Sequence, residues 1–191
     1  MTKIDGINRM LRYIGELPVP NDIVLEELPE GHEALMSREI LNETIREEQQ
    51  RKFWFNSFKQ KFVPNTLGYI TLPFNIVSFK GTGTTKYVRS GNDLYDATNE
   101  TKIFTEAVDL DVVLEIDFDD LPAVFQTYVV LQAAKKLHMY MNGDEGTQKV
   151  LATDIQLQYV LLDRENMKQS KVNFLTGTRL ADRTTNPSPT I

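Results

Sequence analysis

The segment Val108–Phe118 reads VDLDVVLEIDF, and apolar and polar side chains alternate along it almost without a break. Every even position is apolar, and every odd position except Val113 is acidic. A period of two over such a stretch is typical of a half-buried β-strand, which predicts one face on a core and the other in water. The predicted acidic face consists of Asp109, Asp111, Glu115 and Asp117.

Short β-type runs separated by turn residues precede this strand. Ser90-Gly91-Asn92 is a tight hairpin signal, and residues 81–85 (GTGTT) favour a flexible strand connection. The candidate strands are Phe53–Phe55, Tyr69–Phe79, Lys86–Arg89, Asp93–Tyr95, Lys102–Phe104 and Val108–Phe118.

Helical periodicity flanks the β-type region on both sides. We predict helices over residues 4–14, 30–52, 121–141 and 145–168. Gly15 is expected to end the first, and Asn142-Gly143 the third. Asp119 or Asp120 is expected to cap the third helix, which carries Pro122 in its first turn. That helix is apolar on nearly every side, so it should be buried in a bundle or an oligomer.

This order of elements predicts an α+β fold, in which N- and C-terminal helices form a bundle around an inserted antiparallel β-rich lobe. The expected domains are a discontinuous helical bundle (1–52 and 119–170), a β-rich lobe (53–118) and a flexible, extended C-terminal tail (171–191). The polar, turn-rich end of the chain carries too little apolar surface to fold alone.

The amino-acid composition of the chain argues against several classes of protein. The 191 residues include 27 acidic and 21 basic side chains, a net charge of −6, which argues against a dedicated nucleic-acid binder. The absence of cysteine excludes disulfides and thiolate metal sites. No stretch of the sequence approaches the apolar length of a membrane span, so no membrane association is expected.

The acidic face has three possible meanings: a catalytic cluster, a metal site or a solvated surface. A carboxylate pair within residues 109–120 could serve a carbohydrate hydrolase, but a regular exposed row offers one shared environment and so does not split two pKa values. No calcium-binding loop follows these acids, and no nucleophile with partners stands out. We therefore predict no catalytic residue, metal or cofactor. A weaker alternative is a module that binds a host factor or a carbohydrate and is built on the β-rich lobe around Trp54, in FWFN (53–56).

Four blocks of sequence carry a family resemblance. They are INRMLRYIGELPV (7–19), ILNETIREEQQRKFWFN (40–56), YVRSGNDLYDATNETKIF (87–104) and IDFDDLPAVFQTYVV (116–130). In this order they resemble the tail tubular protein A family, the head-to-tail adaptor or gatekeeper proteins of short-tailed bacteriophages. The resemblance covers about residues 7–175.

The resemblance implies a structural virion protein rather than an enzyme. By this resemblance the chain is expected to form a homo-oligomeric ring of about twelve copies between the portal protein and the tail nozzle (tail tubular protein B). Double-stranded DNA passes through the ring's channel without specific binding during packaging retention and ejection. The implied location is the tail of the virion, at the head-to-tail interface, after synthesis in the host bacterial cytoplasm.

Two sets of interface residues are predicted within that picture. Portal contact is assigned to the C-terminal segment around Phe174, Leu175, Arg179 and Leu180. Nozzle contact is assigned to loops of the β-rich lobe at Gly83, Thr84, Ser90, Gly91 and Asn92, because loops at the end of a lobe are free to meet a partner.

Overall fold

The computed structural model describes residues 1–23, 25–141 and 143–170. Short 3₁₀ turns occupy Leu25–Glu27 and Phe118–Asp120. The predicted α+β class is confirmed. In chain order the elements are α1 (Lys3–Ile14), α2 (Glu33–Gln49), β1 (Ser57–Phe62), β2 (Ile76–Gly81), β3 (Tyr87–Ser90), β4 (Asp93–Asp96), β5 (Val108–Leu114), α3 (Ala123–Met141) and α4 (Glu145–Gln169).

Helix α1 has well-formed ends. Thr2 and Asp5 form a capping box, in which the Thr2 hydroxyl accepts from the Asp5 amide and the Asp5 carboxylate accepts from the Thr2 amide. At the other end Gly15 adopts a left-handed φ of 83°, a conformation that glycine enters at little cost. The predicted stop at Gly15 is confirmed.

The four helices share one core, with α3 at its centre. Helices α1, α2 and α4 all pack on α3, whose residues Phe125, Val129 and Leu137 are fully buried. Gly6 lets α1 approach closely, since a Cβ there would lie 3.1 Å from Val130 Cγ2. The all-round apolar character of α3 thus follows from its position between three other helices. We call the cluster of buried apolar side chains contributed by these helices and the loops beside them the helical core.

Residues 57–114, which we call the β lobe, hold a three-stranded antiparallel sheet in the order β1-β5-β2 and a separate β3–β4 hairpin. The hairpin turns at Gly91-Asn92, with Gly91 at φ 68°, so the predicted turn is confirmed. A second buried cluster, the lobe core, consists of Phe62, Ile70, Leu72, Ile76, Leu94, Leu110 and Val112.

The alternating segment 108–118 serves both cores. Strand β5 ends at Leu114, four residues before the predicted end. Its even residues Leu110 and Val112 enter the lobe core, whereas Phe118 belongs to the helical core and Ile116 packs against it. The apolar alternation therefore continues past the strand because the chain passes from one core to the other.

Two other predicted strands are not strands. Residues 53–56 form a turn, and Phe53 and Phe55 place their rings 5.1 and 4.9 Å from that of Phe125. Aromatic side chains bury large areas, and here contact with α3 determines the local backbone. Residues 102–104 are also irregular and follow an isolated bridge between Thr101 and Asp96.

The predicted cap of α3 is also wrong. Asp119 Oδ1 accepts from the Lys3 amide at 3.0 Å. It therefore satisfies an unpaired backbone amide in the first turn of α1 rather than one in α3. The carbonyl of Pro122 accepts from the Phe125 and Gln126 amides, which places Pro122 itself at the start of α3. Pro122 has no amide to leave unsatisfied, so it suits this position without a side-chain cap.

A set of buried amides joins α2 to the end of β5. The Gln49 side chain donates to the Ile116 carbonyl and accepts from the Ile116 amide, both at 2.8 Å. Asn56 donates to the Gln49 and Arg51 carbonyls. Gln49 and Asn56 are fully buried, so these bonds hold the β lobe in a defined position relative to the helical core.

Candidate interaction surfaces

The acidic face of β5 lies between two lysine-bearing strands. Asp109 stands opposite Lys61 of β1, and Asp111 stands opposite Lys59 of β1 and Lys80 of β2. Opposite charges directly across an antiparallel pair stabilise it by about 0.2–1 kcal/mol. The face is therefore mixed in charge, with lysines of β1 and β2 beside the acidic residues of β5.

The remaining acids of the row lie beyond the strand and have different surroundings. Glu115 accepts from Arg46 Nε of α2 at 3.0 Å. Asp117 is exposed and precedes the 3₁₀ turn without a side-chain capping bond. In the described part of the chain, no group of three or more acidic or histidine side chains could hold a metal ion. The structure gives the carbohydrate hydrolase no support, since the acids are dispersed among basic partners rather than paired in a cleft.

The predicted nozzle residues fall into two separate places. Gly83 and Thr84 lie in the exposed loop that enters β3, whereas Ser90, Gly91 and Asn92 lie at the turn that leaves it. One strand length therefore separates the two groups. Whether either group meets a partner stays a prediction.

The hairpin turn lies beside a loop that the sequence did not single out. The Asn92 carbonyl accepts from the Leu72 amide at 2.8 Å, and Arg89 donates to the carbonyls of Pro73 and Ile76. Between them Phe74 is 97% exposed. Phe74 lies between two turn-forming residues, Pro73 and Asn75, and this pattern could have marked an exposed aromatic loop.

Leu67 and Ile103 expose further apolar surface on the β lobe. Gly68 lies against Ile103, since a Cβ at Gly68 would be 2.8 Å from Ile103 Cγ2, and the Gly68 carbonyl accepts from the Phe104 amide. The loops around residues 67 and 103 are thus neighbours. Exposed apolar groups on adjacent loops are common where a partner binds.

A buried carboxylate organises the loop after β4. Asp96 accepts from the amides of Thr98 and Asn99 and from the Asn99 side chain, at 2.8–3.0 Å. Burial by itself would raise the pKa of Asp96, but these donors outweigh it and hold the pKa below its usual value. The ionised Asp96 therefore fixes the loop that leads toward Ile103.

A groove of about 700 Å³ lies where the C-terminal half of α4 passes the start of α3. It is lined by Trp54, Pro122, Val124, Leu161, Arg164, Glu165, Lys168 and Gln169. Trp54 is half-buried, its ring packs edge-on against Phe55, and its amide donates to Asn166 Oδ1. The ring thus has a structural role, and its use as a carbohydrate platform stays a prediction.

Helix α4 leaves much apolar surface uncovered. Only Leu151 and Leu162 are fully buried, against α3, whereas Val150, Leu157 and Leu161 are 57%, 61% and 51% exposed. Val150, Leu157 and Leu161 therefore do not share the inward-facing stripe of Leu151 and Leu162. They form a second stripe on the flank of the helix.

The outer side of α2 carries a smaller groove of about 470 Å³. Its lining combines apolar and acidic side chains: Met36, Glu39, Ile40, Glu43 and Tyr140. The predicted portal residues Phe174, Leu175, Arg179 and Leu180 lie outside the described residues.

The chain matches the family described as Tail tubular protein over residues 4–172. That match covers every helix and strand described above, apart from Lys3 at the start of α1. The chain belongs to the tail tubular protein family. It is accordingly a structural protein of a bacteriophage tail. It is also 27% identical over 185 residues to the tail tubular protein A of Klebsiella phage KP34, covering 96% of each chain. Among the described residues of this tail tubular protein, no helix has the length and apolarity needed to span a membrane.

Proposed function

We propose that this tail tubular protein is the head-to-tail adaptor of its virion. Copies form a ring that joins the portal to the tail nozzle and surrounds the channel through which DNA passes. The observation that carries the proposal is the family match over residues 4–172, joined to exposed apolar surface on both the helical part and the β lobe.

An adaptor must present at least two separate partner surfaces. Helix α4 exposes Leu157 at one side of the helical part, and the β lobe exposes Phe74 and Leu67 on its loops. Large apolar groups in contiguous exposed positions are typical of interaction sites. The buried amides of Gln49 and Asn56 hold the two regions in a fixed relation, which suits a part that transmits force between head and tail.

In this proposal the C-terminal segment around Phe174, Leu175, Arg179 and Leu180 binds the portal. The nozzle binds the β lobe at its loops, including Gly83, Thr84 and the turn Ser90–Asn92. The net charge of −6 per chain, repeated around a ring, disfavours phosphate contacts and lets DNA pass without being held.

The test mixes the purified chain with the portal ring encoded in the same genome and weighs the product by native mass spectrometry. A gain of about twelve chains, as expected for a closed symmetric ring, supports the adaptor. A folded chain that adds nothing to the portal overturns it.

A truncation after Asn173 tests the portal assignment. We expect the truncated chain to keep its circular dichroism spectrum and melting temperature but to bind the portal at least about tenfold more weakly, since it loses the proposed anchor residues. The matched control is Phe74→Ser on the β lobe, which should leave portal binding unchanged and weaken nozzle binding. Unchanged portal binding by the truncated chain would remove the C-terminal segment from the interface.

A further inference from the structure

We propose that adjacent copies of this chain join by seating the exposed flank of α4 in the outer groove of α2 on the next copy. This inference rests on the proposed ring, and it assigns the two faces that form the ring. Four observations support it: the stripe on α4, the groove on α2, their opposite charges, and their positions on different sides of α3.

The stripe on α4 is apolar toward its N-terminal end and basic toward its C-terminal end. It consists of Val150, Leu157, Leu161, Arg164 and Lys168. At about 100° per residue these side chains lie within about 60° of one another around the helix axis, along a length of about 27 Å. The first three are more than half exposed, and the last two are exposed cations. We call this set the α4 stripe.

The two cations of the α4 stripe are weakly paired within the chain. Lys168 lies 3.8 Å from Glu165 of its own helix, but Arg164 has no ion pair within the described residues. An exposed guanidinium beside Leu157 and Leu161 suits a partner that offers both a carboxylate and an apolar surface.

The outer groove of α2 offers that combination. Met36 and the ring of Tyr140, which is 78% exposed, supply the apolar part. Glu39 and Glu43 are exposed at its rim, and neither forms an ion pair with any residue that the structure describes. Their neighbour Glu47 is already paired with Lys136 of α3. The groove therefore carries unpaired negative charge that complements the α4 stripe.

The two surfaces face in different directions. Tyr128 of α3 donates to Glu48 of α2, and its ring lies 5.7 Å from that of Tyr159 on α4. Tyr159 thus marks the flank of α4 that lies toward α2, and the stripe occupies the other flank. Two different complementary faces on separate sides of a subunit give head-to-tail association, which closes into a ring when the rotation between copies permits.

The test reverses the charges on each side of the contact. One full-length variant carries Arg164→Glu and Lys168→Glu, and the other carries Glu39→Arg and Glu43→Arg. In the first variant both surfaces are acidic, and in the second both are basic. We expect each variant alone to need at least about tenfold more protein than the wild type to load the portal ring, because like charges then meet at every contact.

An equimolar mixture of the two variants gives the decisive measurement. If the α4 stripe meets the α2 groove, the mixture has opposite charges at every contact, and we expect loading within about threefold of the wild type, with the two chains in equal numbers by native mass spectrometry. Leu157→Glu should also weaken assembly, whereas the matched change Leu67→Glu on the β lobe should not. Melting temperatures close to the wild type's would establish that each variant is folded.

The outcomes separate the two proposals. A wild-type chain that does not load the portal overturns the adaptor and, with it, this contact. A wild-type chain that loads normally while the charge variants load equally well overturns the contact alone and assigns the stripe to another occupant, such as residues 171–191. Variants that fail alone and also fail as a mixture overturn it too, because the mixture restores every proposed charge pair.

Discussion

Helix α3 and strand β5 are each the central element of a core, but they are buried in different ways. Helix α3 is covered on three sides by other helices, and ten of its residues are buried. Strand β5 places one face on the lobe core and turns Asp109 toward water. The helical core therefore supplies most of the buried apolar surface, and the β lobe is a smaller structure attached to it.

The helical core supplies most of the stability, whereas the β lobe supplies exposed loops for partner contact. Apolar burial is the main source of stability, so the helical core should melt last. The lobe core contains seven buried apolar residues and carries the exposed loops around Phe74, Leu67 and Ile103. A small core is sufficient to hold loops for a partner, provided that the buried amides attach it firmly to the helices.

Phe125→Ala should lower the free energy of unfolding more than the other substitutions described below. Phe125 is fully buried and contacts Phe53, Phe55 and Tyr128, so its removal leaves a cavity at the junction of α3 with the 53–56 turn. We expect a loss of about 3–5 kcal/mol in the free energy of unfolding. Chemical denaturation followed by circular dichroism at 222 nm measures it. A loss below about 1 kcal/mol would contradict the view that the helical core dominates stability.

Leu110→Ala should have the next largest effect, and it should be confined to the β lobe. Leu110 is fully buried at the centre of the lobe core. We expect a loss of about 2–3 kcal/mol, near the lower end for leucine truncation because a small core relaxes more easily. Hydrogen exchange should show faster amides in β1, β2 and β5 and unchanged amides in α3. Equal acceleration in α3 would mean that the two cores unfold as one unit.

Gln49→Leu tests the attachment between the two regions. It removes both hydrogen bonds to Ile116 and leaves the backbone groups of that residue unsatisfied. We expect a loss of about 1–3 kcal/mol. In hydrogen exchange the Ile116 amide should be among the most accelerated. Gln50→Leu, at the exposed neighbouring position, is the matched control and should change neither quantity.

The stability of the β lobe should depend weakly on pH in the acid range. Because the folded pKa of Asp96 is lowered from its ordinary 3.8, the ionised form stabilises the fold above that pH. This contribution is lost as the pH falls through the lowered folded value. The lobe of the wild type should therefore lose melting temperature more steeply below about pH 4 than that of Asp96→Asn. Parallel acid profiles for the two proteins would assign the acid sensitivity to other groups.

The sequence was informative wherever local chemistry determines structure. All four helices, the stop at Gly15 and the turn at Gly91-Asn92 follow from periodicity and from residues that favour one backbone conformation. The apolar side of β5 was predictable for the same reason, because a period of two requires no knowledge of neighbours. Membership of the tail tubular protein family agrees with the four resembling sequence blocks.

The missed features depend on contacts between distant segments. The lysines that face Asp111 come from β1 and β2, and SFKQKF (57–62) already alternates in the manner of a strand. That alternation could have identified β1, but the pairing register could not be read from one segment. Asp119 was expected to cap the helix beside it, yet it caps α1 from 116 positions away. The α4 stripe was missed because two apolar stripes on one helix cannot be divided into inner and outer without the position of α3.

The bond between Asp119 and the amide of Lys3 also bears on the order of events during translation. Helix α1 leaves the ribosome first, but the Asp119 carboxylate that accepts from its Lys3 amide lies 116 residues later, and α3 follows that. At about 5–20 residues per second, roughly 6–23 s pass before α1 meets either. The β lobe is complete by residue 114. It can therefore fold before α3, on which α1 and α2 pack, has been synthesised. We expect stalled nascent chains with residues 1–118 outside the ribosome to resist protease within the lobe and to be cut within α1. Full protection of α1 at that length would show that it finds another partner before its own helix bundle exists.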